Sequence, residues 1–155
     1  AVFSIFDVNL RPPHYQIEKL DTLMKSASFL KFNDDELFEI NEKLGYVNNS
    51  IKENIKHISK FTNTDQICVT RGSNGALLCY NQKFYENPGY KVTIADTVGS
   101  GDSFLATLIN CLLNKKNPQK AIDNACAVGA LVAQNQGANP KISTKQINNL
   151  ITRSL

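Results

Sequence analysis

The sequence predicts an α/β fold, layered α/β/α around a mostly parallel sheet, within a single domain spanning residues 1–155. Three observations lead there. Short runs rich in β-branched and aromatic residues alternate with amphipathic helical patterns, as expected when helices connect neighbouring strands. An apolar content of 42% and a charged content of 20% are those of a chain that buries a core. Three polar or glycine-rich loops, FDVNLR, VTRGSNG and ADTVGSGD, follow apolar runs, and in such sheets ligands gather where strands end and helices begin.

Taken in order, strands are expected at Val2–Phe6, Ala27–Lys31 and Gln66–Thr70. GALLCYNQKFYENPG reads as two short strands around a tight Asn81-Gln82 turn, and YKVTIAD, from Tyr90, as a further strand of alternating character. Leu37, Phe38, Ile40 and Leu44 share one helical face, and Ile51, Ile55 and Ile58 share another. After Gly101 the spacing of Phe104, Leu105, Leu108, Ile109, Leu112 and Leu113 is helical. AIDNACAVGALVAQ is an alanine-rich helix apolar on most sides, suited to a sandwiched position, and Ile147, Leu150 and Ile151 mark a last amphipathic helix.

Several function classes are disfavoured. The net charge is only +3 with dispersed lysines, so no nucleic-acid-binding stripe is expected. Apolar runs fall short of a membrane span, and neither a membrane partner nor a secretory leader is expected. Cys68, Cys79, Cys111 and Cys126 form no CxxC pair and sit in apolar segments, which predicts buried free thiols and a cytoplasmic protein. His14 and His57 stand apart from each other and from any cysteine, against a zinc site. The opening AVFSIFDVNL begins at once as a buried-type strand, so the chain is expected to be part of something longer.

The most informative stretch is ADTVGSGDSFLATLI. Its glycines let successive N–H groups face one concavity, and the helix that follows adds unpaired N–H groups and a positive dipole end. Such a turn suits an anion, most commonly phosphate. It is neither a Walker A loop, which would place a lysine in the turn, nor a GxGxxG fingerprint, because Phe104 occupies the third glycine position. Asp102 at that helix start has two readings. As a cap it would contribute about 0.5–2 kcal/mol of stability and no chemistry. As a general base it would take the proton of a hydroxyl lying between it and the phosphate, worth about 10² to 10⁴ in rate.

At this point the sequence resembles the PfkB (ribokinase-like) carbohydrate kinases. DTVGSGD is similar to their C-terminal D-T-x-G-[AS]-G-D signature. FDVNLRPPHY resembles the DxNxRxxxY/W stretch of fructokinase-like members, KFNDDE their NxxE element, VTRGSNGALL their VTxGxxGA nucleotide segment, and QGANP their GA-x-P loop. The resemblance spans about residues 1 to 141.

It implies an ATP-dependent sugar kinase, acting on fructose or a similar ketose. Asp102 would be the base, and the backbone N–H groups of Gly99, Ser100 and Gly101 would hold the charge of the transferred phosphoryl. Asn33 and Glu36 would act through water on Mg²⁺, although the same spacing also reads as a helix-capping box. Thr70, Gly72, Gly75 and Asn139 would line the nucleotide site. Asn9 and Arg11 would meet substrate or phosphate oxygens, against a plain polar loop stiffened by Pro12 and Pro13. Backbone carbonyls at Asp96, Val98, Val132, Asn135 and Gly137 would hold a monovalent cation such as K⁺. Two departures stand out: Lys141 lies where some relatives place a cation-binding serine, and Cys126 where many have asparagine.

Family members are about twice this length. The resemblance implies that the N-terminal half, with the sugar-recognising acid and a small β-sheet lid through which family homodimers pair, is missing. The predicted sheet would then expose an apolar edge at Val2–Phe6, and the fragment alone would be inactive or weak. A nucleotide- or anion-binding module without catalysis is the alternative. A dinucleotide-dependent oxidoreductase is disfavoured by the lack of GxGxxG after the first strand.

Overall fold

The computed structural model describes residues 2–11 and 13–154, and the chain divides into two compact units. Residues 1–71 with 77–84 form the first, and residues 72–76 with 85–155 the second.

The sheet strands follow chain order: β1 (Ile5–Asp7), β2 (Phe29–Asn33), β3 (Gln66–Thr70), β4 (Ala76–Tyr80) and β5 (Lys83–Asn87). The first three are parallel, with Ile5 opposite Phe29 and Asn33 opposite Thr70. Parallel neighbours require a long return connection. Here α1 (Ile17–Ser26) supplies the first, and α2 (Asp34–Lys43) with α3 (Ile51–Thr62) supplies the second. β4 and β5 extend the sheet as a hairpin. Its turn residues, Asn81 and Gln82, both have positive φ, 50° and 63°, the type I′ geometry that suits twisted strands. The link from β3 to β4 is too short for a crossover, so the sheet is mixed.

The core explains why these segments settle here. Leu30 and Phe32 of β2 and Ile67 and Val69 of β3 are buried against Met24 of α1, Leu37 and Ile40 of α2, and Ile55 and Ile58 of α3. Each such side chain contributes about 1.5–3 kcal/mol when withdrawn from water. The starts of α2 and α3 are closed by side-chain caps, with Ser50 accepting from the Glu53 N–H at α3.

In the second unit α4 (Ser100–Leu113) packs on α5 (Pro118–Ala133), and α6 (Thr144–Arg153) packs on α5 in turn. Phe104, Leu108 and Leu112 of α4 and Ala121, Ile122 and Ala125 of α5 are buried. Asn117 caps α5, and Pro118 at its first position loses nothing because that N–H has no helical partner. No helix among the described residues is long and apolar enough to cross a membrane. All four cysteines are buried, as expected.

Three differences from expectation have physical causes. β1 and β2 lie slightly later than predicted, because Asp7 and Lys31 pair within the sheet and carry it past the apolar run. α1 was not anticipated; its apolar residues Ile17, Leu20 and Met24 do lie at helical spacing, diluted by the charges between them. Residues 90–96 form no strand. A strand exists only beside a partner, and here just the N–H groups of Ala95 and Asp96 are engaged, both by the Ala133 carbonyl, while Ile94 is 58% exposed. Val2, Phe3 and Ile5 are exposed, and among the described residues β1 is the first strand in the sheet order.

Candidate active site

Within the second unit the DTVGSGD turn is fixed by three sets of contacts. Gly99 caps α4 with φ of +76° and no side-chain cap. A Cβ there would stand 2.5 Å from the Ala138 carbonyl oxygen, so only glycine lets the turn lie against the 134–139 loop. The Asp96 carboxylate spans both segments, accepting the Val98 N–H on Oδ1 at 3.0 Å and the Gly137 N–H on Oδ2 at 3.1 Å. These bonds, that to Val98 foremost, hold the Asp96 carboxyl below its ordinary range. Finally, the Ser100 hydroxyl donates to the Gly129 carbonyl at 2.9 Å, tying α4 to α5.

The helix start itself is an open set of donors. Ser100 N–H makes a long 3.3 Å bond to the Thr97 carbonyl, and Ser103 N–H donates to the Gly99 carbonyl at 2.9 Å. Among the described residues, the N–H groups of Gly99, Gly101 and Asp102 have no acceptor in the chain. The donor set therefore shifts by one from the expected trio, with Asp102 N–H joining it and Ser100 N–H partly satisfied. Gly101 has open space where a Cβ would stand, so protein packing does not demand glycine there; close approach of a ligand would. Asp102 is exposed on the first turn of α4, free to meet a hydroxyl.

The other residues expected around a cation lie on or beside the same loop. Asn135 donates its N–H to the Val132 carbonyl at 3.0 Å and its Nδ2 to the Leu131 carbonyl at 2.8 Å. The Val132 carbonyl also accepts the Gln134 N–H, so it is committed within the protein and fits a cation cage poorly. Gly137 (φ +83°) and Asn139 are exposed on this loop. Gly72 (φ +56°) opens a single 3₁₀ turn that ends before Gly75 (φ +76°), whose N–H bonds the Gly72 carbonyl at 3.3 Å.

The first unit holds the other predicted residues. Asn33 and Glu36 form the capping box at α2: Asn33 Oδ1 accepts the Glu36 N–H, and Glu36 Oε2 accepts the Asn33 N–H, each at 2.8 Å. Glu36 Oε1 takes the Leu10 N–H at 3.0 Å, which draws the 8–11 loop to the same helix start. The cap and the proposed metal role are compatible, because each carboxylate oxygen keeps a second lone pair. No group of three or more metal-ligating side chains occurs among the described residues. Asn9 sits exposed in the left-handed region at φ 42°, and Arg11 is exposed beside it in sequence. Thr70 ends β3 opposite Asn33, its hydroxyl 3.4 Å from the Phe32 carbonyl. Pro12 lies outside the described residues.

Sequence reasoning missed Lys31. Its ammonium is almost fully buried and bonds Asp7 Oδ1 at 2.9 Å, while its carbonyl accepts the Val8 N–H at 3.0 Å. This part-buried pair fixes the chain where β1 leaves for the Asn9–Arg11 loop. A lysine inside the apolar run SFLKF was the available signal.

Comparison with known proteins agrees with this architecture. The profile described as pfkB family carbohydrate kinase matches residues 1–145, and the chain belongs to that family. A tagatose-6-phosphate kinase of Staphylococcus epidermidis is 36% identical over 115 residues, which is 72% of this chain and 36% of that protein. The ribokinase structure from Thermotoga maritima superposes with a TM-score of 0.77 at 20% identity, covering 97% of this chain and 49% of that one. A fructokinase double mutant of Vibrio cholerae, in its fructose-, ADP- and potassium-bound form, gives a TM-score of 0.76 at 25% identity, covering 95% and 49%. The fold is thus ribokinase-like, and the chain spans between 36% and 49% of the length of these relatives.

Proposed function

We propose that this chain supplies the nucleotide-binding and catalytic portion of an ATP-dependent sugar kinase acting on the primary hydroxyl of fructose or a similar ketose. The observation that carries the reading is the exposed Asp102 carboxylate on the first turn of α4, beside N–H groups with no acceptor in the chain. In the reaction, Asp102 accepts the proton of the sugar hydroxyl as its oxygen bonds to the γ-phosphorus. The bond from that phosphorus to the β–γ bridging oxygen breaks, and ADP leaves with the electron pair. The Gly99, Gly101 and Asp102 N–H groups face the charge on the transferred phosphoryl oxygens. Mg²⁺, when bound with ATP, neutralises phosphate charge, and Asn33 and Glu36 reach it through water. Thr70, Gly72, Gly75 and Asn139 contact the nucleotide, and Asn9 and Arg11 the substrate or phosphate oxygens. For K⁺, the carbonyls of Asp96, Val98, Asn135 and Gly137 fit better than that of Val132.

On this reading the sugar-recognising acid and lid would be supplied from outside these residues, and this portion alone would be a weak kinase. Orientation of the acceptor is worth about 7–11 kcal/mol of barrier, so its loss is severe. The test is a coupled ADP-release assay on this chain alone and joined to the N-terminal half of a homologous kinase. Sugar-, ATP- and Mg²⁺-dependent turnover only in the joined protein supports the proposal. Brisk turnover by the 155-residue chain refutes the division of labour. ATP binding with no product from any sugar, even when joined, favours a nucleotide-binding module without catalysis.

A further inference from the structure

The Gly72–Gly75 turn interlocks with the 87–89 segment. A Cβ on Gly75 would lie 2.0 Å from the Asn87 carbonyl oxygen, and one on Gly89 would lie 2.4 Å from the Ser73 carbonyl oxygen. Both glycines have positive φ, +76° and +86°, so each backbone is pressed against the other in a conformation that other residues resist. Wherever residues 87–89 go, the turn follows.

Side chains from α5 set those residues. Asn87 is 5% exposed, and its Oδ1 accepts the Gly89 N–H at 2.9 Å. That bond fixes which way the amide faces, so Nδ2 donates to Asp123 Oδ1 at 2.8 Å and to the Tyr90 hydroxyl at 3.2 Å. Asp123 Oδ1 also accepts Gln119 Nε2 at 3.0 Å, and the same Gln119 amide donates to the Glu86 carbonyl at 2.8 Å. The Tyr90 hydroxyl closes the network on the Asp123 backbone carbonyl at 3.4 Å. None of these residues belongs to the motifs that carry the kinase resemblance.

The geometry points to Asn87 and Asp123 as positioning residues for the nucleotide turn: one α5 carboxylate orients one asparagine amide, which fixes the backbone that Ser73 and Gly75 rest against. This rests on the reading of Gly72 and Gly75 as nucleotide contacts. Neither side chain touches the nucleotide; both act through the turn.

Asn87→Asp keeps the acceptor for Gly89 but sets a second carboxylate against Asp123. Asn87→Asp with Asp123→Asn restores a donor–acceptor pair with the direction reversed. The readouts are deuterium exchange at the Gly75 and Gly89 amides, ADP affinity by calorimetry, and melting temperature. For Asn87→Asp, exchange at both amides accelerates, exchange at Leu108 in α4 is unchanged, and the ADP Kd rises roughly 3- to 30-fold. The double variant recovers part of both losses, its remaining deficit being the bond from Gln119 that now meets a second donor, and a merely destabilising change would allow no recovery. Should Asn87→Asp fail to fold, Gln119→Ala, which removes one bond to Asp123, gives the same changes at smaller size. Unchanged exchange in a folded variant overturns the proposal, as does faster exchange with ADP affinity intact. If the wild-type chain binds no ADP, the nucleotide reading itself fails and takes this one with it.

Discussion

Replacing Gly99 by alanine places a methyl group where the 134–139 loop already stands. The new carbon would meet the Ala138 carbonyl oxygen at 2.5 Å, its Cα at 2.8 Å and its Cβ at 2.9 Å. Two of those atoms are backbone, so no rotamer change relieves the overlap. The φ of +76° adds about 1–2 kcal/mol for a side chain in the left-handed region. Overlap in a packed site costs about 1–3 kcal/mol more. The sum, about 2–5 kcal/mol, corresponds to a melting temperature lower by roughly 5–20 °C. Gly101→Ala is the internal control. Nothing lies within 4 Å of its Cβ position and its backbone is helical, so alanine raises stability by about 0.4–1 kcal/mol. If a phosphate approaches Gly101, that same variant binds nucleotide less tightly while melting higher. Thermal unfolding followed by circular dichroism, with ADP titrated into each variant, reads both effects. A Gly99→Ala protein within about 0.5 kcal/mol of wild type, the range of inert surface changes, refutes the packing argument.

Two further predictions concern the surroundings of the site. Backbone N–H bonds depress the Asp96 carboxyl, so its contribution to stability is complete above the ordinary aspartate range and is lost as pH falls through its lower folded-state value. Acid unfolding of wild type therefore has a component in and below that range that Asp96→Asn lacks; matching acid limbs would contradict this. Asn33→Ala removes the α2 cap and lowers stability by about 0.5–2 kcal/mol. If Asn33 also acts on Mg²⁺, the catalytically complete protein carrying this change needs more Mg²⁺ for half-maximal turnover, whereas a cap alone shifts only the melting curve.

What the sequence revealed was local. The helix start at GSGD, the Asn33–Glu36 capping box that was weighed against a metal role, and the Asn81–Gln82 turn each depend on residues a few positions apart, and each of these local features forms. What it concealed was long-range. The Asp96 bond to Gly137 joins residues 41 apart, and the Asn87 bond to Asp123 joins residues 36 apart. Nothing in either local pattern names its partner. The same limit explains Lys31, whose burial makes sense only once Asp7 lies on the adjacent strand, and residues 90–96, whose alternation signals a strand without saying whether a neighbour is present to pair with it.

The central claim is that Asp102 removes a proton beside the amide cradle at the start of α4, and the most direct test is Asp102→Asn in the catalytically complete protein. Its turnover should fall by about 10² to 10⁴ with ADP affinity and melting temperature near those of wild type, since the substitution keeps the shape and removes only the base. Turnover close to wild type would show that the carboxylate does not act as the base.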